Sequence, residues 1–253
     1  MITIKNEQPM SYWVAKYPIL RPLDTLHSLY LFEKKFGKCD LNNPPLFTEV
    51  LIETYNRCNN DCQFCPANIN VDKRKASFMT EKMFSDIIRQ LKEIDYKGVL
   101  TLSGNNEPLL DKRLEKFIEI STQNLKAKVS FFTNGKLLTF ERLKSLYRAG
   151  LRNMIIDNYN YKLELLPNIN KLLERIRGTD IEKDMNISVW VRYKNARLSN
   201  RAGNAPNGHK ADWLARMRKC GLPFEQLNIN PSGLMFGCCV DVYYQNVVGV
   251  LNK

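Results

Sequence analysis

Two adjoining stretches decide how this chain folds: Phe47-Thr-Glu-Val-Leu-Ile-Glu-Thr54 and, just after it, Arg57-Cys-Asn-Asn-Asp-Cys-Gln-Phe-Cys-Pro66. The first is rich in Val, Ile and Thr and reads as a β-strand. The second sets Cys58, Cys62 and Cys65 at Cys-x3-Cys-x2-Cys spacing within a single loop. Three thiolates on one loop can grip three irons of a cubane iron–sulfur cluster. The fourth iron then lacks a protein ligand, and an open metal position is what lets a metal site bind and activate a substrate. Zinc is the competing reading. Zinc sites favour paired Cys-x2-Cys units completed by His or two further Cys. The only histidines, His27 and His209, lie far away in sequence.

The cysteine inventory points the same way. Of seven cysteines, six fall in two clusters: Cys58, Cys62 and Cys65, then Cys220, Cys238 and Cys239, with Cys39 alone. The N-terminal stretch MITIKNEQPMSYWVAKYPIL lacks the basic start, apolar run and small-residue cleavage site of a secretory signal. No apolar run approaches the ~20 residues that span a bilayer. The expected location is therefore the cytoplasm, with no membrane partner. There thiols stay reduced, so the clusters read as metal ligands and not as a disulfide framework. Net charge is +12, from 38 Lys and Arg against 26 Asp and Glu. Such an excess can mark an anionic partner. Here the basic residues are scattered, the densest run is Asp72-Lys-Arg-Lys75, and no aromatic–basic signature of an RNA-recognition module is present.

From the first strand onward, strand-like and helix-like segments alternate. Thr80 caps a helix running to about Ile94, with Met83, Phe84, Ile87, Ile88 and Leu91 on one face. Gly98–Leu102 is a strand, Asp111–Ser121 a helix, and Ala127–Thr133 a strand. Thr139 caps a helix ending at Gly150, Met154–Ile156 is a strand, and Tyr161–Ile176 a helix interrupted near Pro167. Asn186–Tyr193 is a further strand. This alternation predicts a parallel α/β sheet. The portion is too short for a closed eight-stranded barrel of ~250 residues. It reads as a partial (β/α)6 TIM-like barrel, with the chemistry on loops after the strands. Residues 1–45 form an N-terminal extension with a helix from Asp24, ending near Gly37. Beyond the turn-rich Asn200–His209, a short helix over Ala211–Lys219 leads to Cys220. A β-hairpin then pairs Gln226–Asn230 with Leu234–Cys239 around Pro231-Ser-Gly233.

Three more segments fall in order after strands: Ser103-Gly-Asn-Asn-Glu-Pro108, Thr133-Asn-Gly135 and Ile155-Ile-Asp-Asn158. Together with the cysteine loop they resemble the radical S-adenosylmethionine (SAM) superfamily over residues 46–204. The resemblance implies that Cys58, Cys62 and Cys65 hold a [4Fe–4S] cluster whose open iron chelates SAM. It implies reductive SAM cleavage to a 5′-deoxyadenosyl radical that abstracts a substrate hydrogen. Phe64 would lie beside the adenine, and Gly104, Asn105, Asn106 and Glu107 would form the SAM turn, with Glu107 accepting from the SAM amino group. Asn106 stands where relatives have Gly; Asn tolerates a left-handed backbone better than most residues. Asn134 would approach the ribose. Asp157 is a further candidate. Arg192 and Asn200-Arg-Ala-Gly203 resemble the segment that meets the SAM carboxylate. A flavodoxin or ferredoxin is the implied electron donor.

Cys220, Gly233 and Cys238 resemble the opening half of a SPASM or twitch domain, which holds auxiliary clusters. Residues 205–253 are read as a partial segment of that kind. Relatives supply further cysteines beyond this point, so either the chain is cut short or the auxiliary site, with Cys220 and Cys238 as ligands, is incomplete. The expected substrate is a small molecule such as a sugar, or a peptide; nucleic acid is not the expected partner. Two alternatives stay open: an RNA-modifying radical SAM enzyme, motivated by the charge, and a non-catalytic iron–sulfur or zinc-binding protein, motivated by the missing cysteines. No general base or other catalytic side chain is marked.

Overall fold

The computed structural model describes residues 1–5, 21–36, 47–194, 200–208 and 220–251. The N-terminal region supplies strand β1 (Ile2–Lys5) and helix α1 (Arg21–Phe36). The alternating region then runs β2 (Glu49–Ile52), α2 (Glu81–Glu93), β3 (Val99–Thr101), α3 (Leu114–Asn124), β4 (Lys128–Ser130) and β5 (Phe132–Thr133). It continues with α4 (Phe140–Arg148), β6 (Asn153–Asn160), α5 (Pro167–Ile176), α6 (Asp180–Asp184) and β7 (Asn186–Tyr193). Three short strands follow: β8 (Gln226–Ile229), β9 (Leu234–Phe236) and β10 (Val247–Val250).

β2, β3 and β4 pair in parallel, as do β5, β6 and β7. The two sets meet at Phe131, a single buried residue between β4 and β5 whose carbonyl accepts from Ile155 N–H at 3.0 Å. The predicted strand Ala127–Thr133 is therefore present but kinked between two sheets. Five strands of the alternating region were legible; the next parallel neighbour of β7 is β1, from the N-terminal region, and not a strand later in the chain. On the opposite flank β8 joins β2 in parallel, then turns back antiparallel into β9, with β10 outermost. The result is an open α/β sheet system, with β1 and β10 as its edges among the described residues.

Local chemistry accounts for most element boundaries. Thr80 and Thr139 cap α2 and α4, each hydroxyl accepting at 3.1 Å from the backbone N–H three residues on. Phe84, Ile87, Ile88 and Leu91 of α2 are buried and pack with Phe117 and Ile118 of α3 in one core beneath the sheet. Two predicted boundaries shift. α5 begins at Pro167 and not at Tyr161, because proline fits the first helical turn and disfavours helix in the residue before it. β6 runs four residues past Ile156, since β7 pairs with it from Asn153↔Asn186 to Asn160↔Tyr193. The helix predicted over 211–219, His209 and Cys39 lie outside the described residues. No helix among the described residues is long and apolar enough to cross a membrane.

Candidate functional site

The chain after β2 makes the loop that carries the three thiols. Its turns are closed by Cys65 N–H donating to the Cys62 carbonyl and Asn68 N–H to the Cys65 carbonyl, both at 3.1 Å. The buried Asn68 side chain adds a 3.0 Å bond to the Cys62 carbonyl. The backbone N–H of Asn60 donates to Cys58 Sγ at 3.4 Å, an arrangement that favours negative charge on sulfur. The loop is fastened to its surroundings on two sides. Glu107 N–H donates to the Arg57 carbonyl at 2.8 Å, and Lys194, after β7, pairs with Asp61.

Two more strand ends face the same space. After β3, Ser103–Glu107 forms a turn closed by a side chain: Asn106 Oδ1 accepts from Gly104 N–H at 2.9 Å. Neither Gly104 nor Asn106 is left-handed; the turn is bridged by the Asn106 side chain. After β5, Thr133, Asn134 and Gly135 turn the chain, with Gly135 at φ +73°. The buried Glu107 carboxylate ties these two ends together. Oε1 accepts from Thr133 Oγ1 at 2.7 Å and Leu109 N–H at 3.1 Å, and Oε2 from Asn134 N–H at 2.7 Å. Burial pushes the Glu107 carboxyl up to about 7, while these bonds pull it back. Asn134 Nδ2 donates to Asn59 Oδ1 at 2.8 Å and lies 3.8 Å from Cys58 Sγ.

These elements line one half-open cavity of about 110 Å³. Of the residues singled out from the radical SAM motifs, Cys58, Cys62, Cys65, Phe64, Gly104, Asn105, Asn106, Glu107 and Asn134 line it. Asp157 lines it too, as does Arg201 from the 200–203 segment. Arg192 stands behind, 3.3 Å from Asp157 Oδ1 and stacked over Trp190. Sequence reasoning did not single out Asn60, Asn68, Phe132 or Tyr159, which also line the cavity. Tyr159 lies on the part of β6 whose polar Asp157-Asn-Tyr-Asn160 run hides its strand character. Phe64 is buried between the Tyr159 ring, 5.4 Å away, and the Arg201 guanidinium at 5.2 Å. Arg201, Ala202 and Gly203 all have positive φ, so the backbone presenting Arg201 is held in a costly conformation.

The electrostatics bear on what the cavity can hold. Burial raises the Cys58 thiol to about 12, assisted by the Glu107 charge, and raises Cys62 further. A cation at the thiols reverses this, since thiolate is the ligating form and metal binding releases its proton. No three His, Cys, Asp or Glu side chains among the described residues converge to share one metal ion. Asn106 Nδ2 is buried at the cavity without a partner, a donor that a ligand would satisfy.

In the second cysteine group Cys220 is exposed, and Cys238 and Cys239 are half-buried just beyond β9. Burial raises the Cys239 thiol to about 11, with further upward contributions from the Cys238 and Cys220 charges. The three thiols therefore share one neighbourhood.

A parallel α/β sheet with a three-cysteine loop after its leading β–α strand and a cavity at successive strand ends defines a class of cofactor-dependent enzyme. The Radical SAM superfamily model matches residues 52–192, and the chain belongs to that superfamily. Members bind a [4Fe–4S] cluster and SAM. The chain is 26% identical over 212 residues to the S-adenosyl-L-methionine-dependent 2-deoxy-scyllo-inosamine dehydrogenase of Niallia circulans, covering 82% of this chain and 80% of that protein. It is 29% identical over 155 residues to the 7,8-dihydro-6-hydroxymethylpterin dimethyltransferase of Methanocaldococcus jannaschii, covering 56% of this chain and 30% of that protein. Among solved structures, BtrN in complex with AdoMet and 2-DOIA superposes with a TM-score of 0.67 at 24% identity, over 82% of this chain and 79% of that one. Native anSMEcpe with bound AdoMet gives a TM-score of 0.53 at 13% identity, over 80% of this chain and 77% of that one. These likenesses agree with the parallel sheet system described above.

Proposed function

We propose that the chain is a radical SAM dehydrogenase acting on a small hydroxylated molecule, with the cavity at the strand ends as its cofactor and substrate site. The observation that carries this reading is the gathering of the three loop thiols with the ends of β3, β5 and β6 around one space. In this reading Cys58, Cys62 and Cys65 hold the cluster. Asn105, Asn106 and Glu107 border the bound SAM, and Asn106 Nδ2 supplies a free donor. Phe64 and Tyr159 give an apolar wall for a purine ring. When bound, a reduced cluster with SAM would supply the radical chemistry that removes a hydrogen atom from a substrate carbon; a dehydrogenation also loses a proton to solvent and a second electron, for which the auxiliary iron–sulfur site assigned below would be the acceptor. The rest of this chain orients the substrate and excludes water from it.

The substrate class rests on the dehydrogenase relative, which covers most of both chains. Asp157 and Arg201 at the cavity suit a ligand with several hydroxyl groups. Cys220 and Cys238 are assigned to an auxiliary iron–sulfur site, supported by the closeness of the three C-terminal thiols. A flavodoxin or ferredoxin supplies the reducing electron in this scheme, and residues 46–204 form the catalytic unit between the 1–45 and 205–253 segments. The test is anaerobic reconstitution with iron and sulfide, then chemical reduction in the presence of SAM. Formation of 5′-deoxyadenosine is expected, increasing when aminocyclitols or sugars are added, with deuterium from the substrate carbon appearing in it. Protein that retains zinc in place of iron, or that yields no 5′-deoxyadenosine, would refute the reading. Iron content per chain separates one cluster from two.

A further inference from the structure

Behind the cavity wall lies a buried charged network that holds none of the three thiols. Its centre is Arg74, in the loop between β2 and α2, with a side chain 6% exposed. Nε and Nη2 grip the Asp72 carboxylate at 3.0 and 2.9 Å, a bidentate pair. Asp72 also accepts from Arg57 Nη1 at 3.2 Å, beside Cys58, and Arg57 Nη2 donates to the Arg74 carbonyl. The remaining contacts of the guanidinium leave this loop. Nη2 donates to the Asn105 carbonyl at 3.3 Å, in the turn after β3. Nη1 donates to the Tyr244 hydroxyl at 2.9 Å and the Val242 carbonyl at 3.3 Å. The Tyr244 hydroxyl donates in turn to Glu53, which is buried just past β2 and 3.9 Å from Arg74 Nη1.

The turn is held from the other side as well. Asn105 Nδ2 donates to the Cys239 carbonyl at 3.1 Å. Asn105 thus meets the 239–244 segment twice: directly through its side chain, and through Arg74 by its carbonyl. Tyr244 has φ +56°, a conformation that bulky residues rarely adopt and that persists only where contacts over-determine it. Buried ion networks add little net stability compared with apolar packing; their best-attested role is to fix one arrangement. A guanidinium suits that role, because its planar fork sends donors in several fixed directions at once.

We propose that Arg74 is a positioning residue that sets the Asn105 turn against the 239–244 segment, making the C-terminal segment a structural part of the SAM site. The proposal rests on the reading of the cavity as that site. Coupling of this kind means that loosening either partner loosens the other.

Two variants test it. Tyr244→Phe keeps the ring against Phe236, 5.3 Å away, and removes only the hydroxyl. Arg74→Lys keeps a charge opposite Asp72 and Glu53 but loses the fork. Thr139→Ala, which weakens a distant helix cap, controls for general destabilisation. Hydrogen exchange on the reconstituted protein without SAM should show faster exchange at 103–107 and at 238–246 together in both hub variants, and at neither in the control. Calorimetry should then show SAM affinity lower by about five- to tenfold in the hub variants, at unchanged iron content. Faster exchange in only one of the two segments, or hub variants that bind SAM as the parent does, would overturn the proposal. If the parent protein itself binds no SAM, the functional reading fails, and the exchange result alone decides whether Arg74 couples the two segments.

Discussion

At the residue scale, Glu107 shows how a side chain can serve a cavity without being free inside it. Its oxygens accept from Thr133, Asn134 and Leu109, so it ties two strand ends together. Glu107→Gln puts an amide N–H₂ against one of those donors in a buried setting. The variant should lose about 1–3 kcal/mol of stability, read as a lower thermal midpoint. Single Cys→Ala changes at Cys58, Cys62 or Cys65 should each abolish iron retention after reconstitution, measured by iron content and visible absorbance, while leaving the far-ultraviolet circular dichroism intact. The thiols were legible because their spacing lies within one loop. The links of Glu53 to Arg74 and Tyr244 were not, because these partners lie about 20 to 190 residues apart and no local pattern marks a tertiary ion network.

At the element scale, the parts written into local chemistry were read correctly: the Thr80 and Thr139 caps, the apolar face of α2, and β7 over Asn186–Tyr193. What was missed depends on neighbours. Asp157-Asn-Tyr-Asn160 has the composition of a turn, yet it is strand because β7 offers a full ladder beside it. That extension carries Asp157 and Tyr159 to the cavity. The loop after it is held by the buried Asn158 side chain, which donates to the Glu164 carbonyl and accepts from Leu166 N–H, at 2.9 and 2.8 Å. Gly135 sets the approach of α5 to the strand ends. An added Cβ would meet Ile169 Cδ1 at 2.7 Å and face a φ of +73°. Gly135→Ala should therefore destabilise by more than about 1 kcal/mol, seen as a shifted urea midpoint.

At the scale of the whole molecule, the basic residues behind the +12 charge are scattered along the chain, and several are paired. Lys82 with Asp86, Arg89 with Glu93, Lys116 with Glu81 and Arg142 with Glu115 lie 2.5–3.0 Å apart. Filter retention of RNA should accordingly be weak near physiological salt and change little as salt is raised. A steep logarithmic slope would reinstate the RNA-modifying alternative. The parallel α/β class was legible from β–α alternation, but the order of its flanks was not, since β1 and β8 are recruited from outside the alternating run.

That recruitment has a consequence in time. β2, which leads directly into the cysteine loop, has β3 on one side and β8 on the other, so one of its flanks stays bare until Gln226–Ile229 leave the ribosome. Pairing across such a sequence separation is slow, and unpaired strand edges invite association with other chains. The three thiols are therefore made next to a strand that still lacks one of its two neighbours.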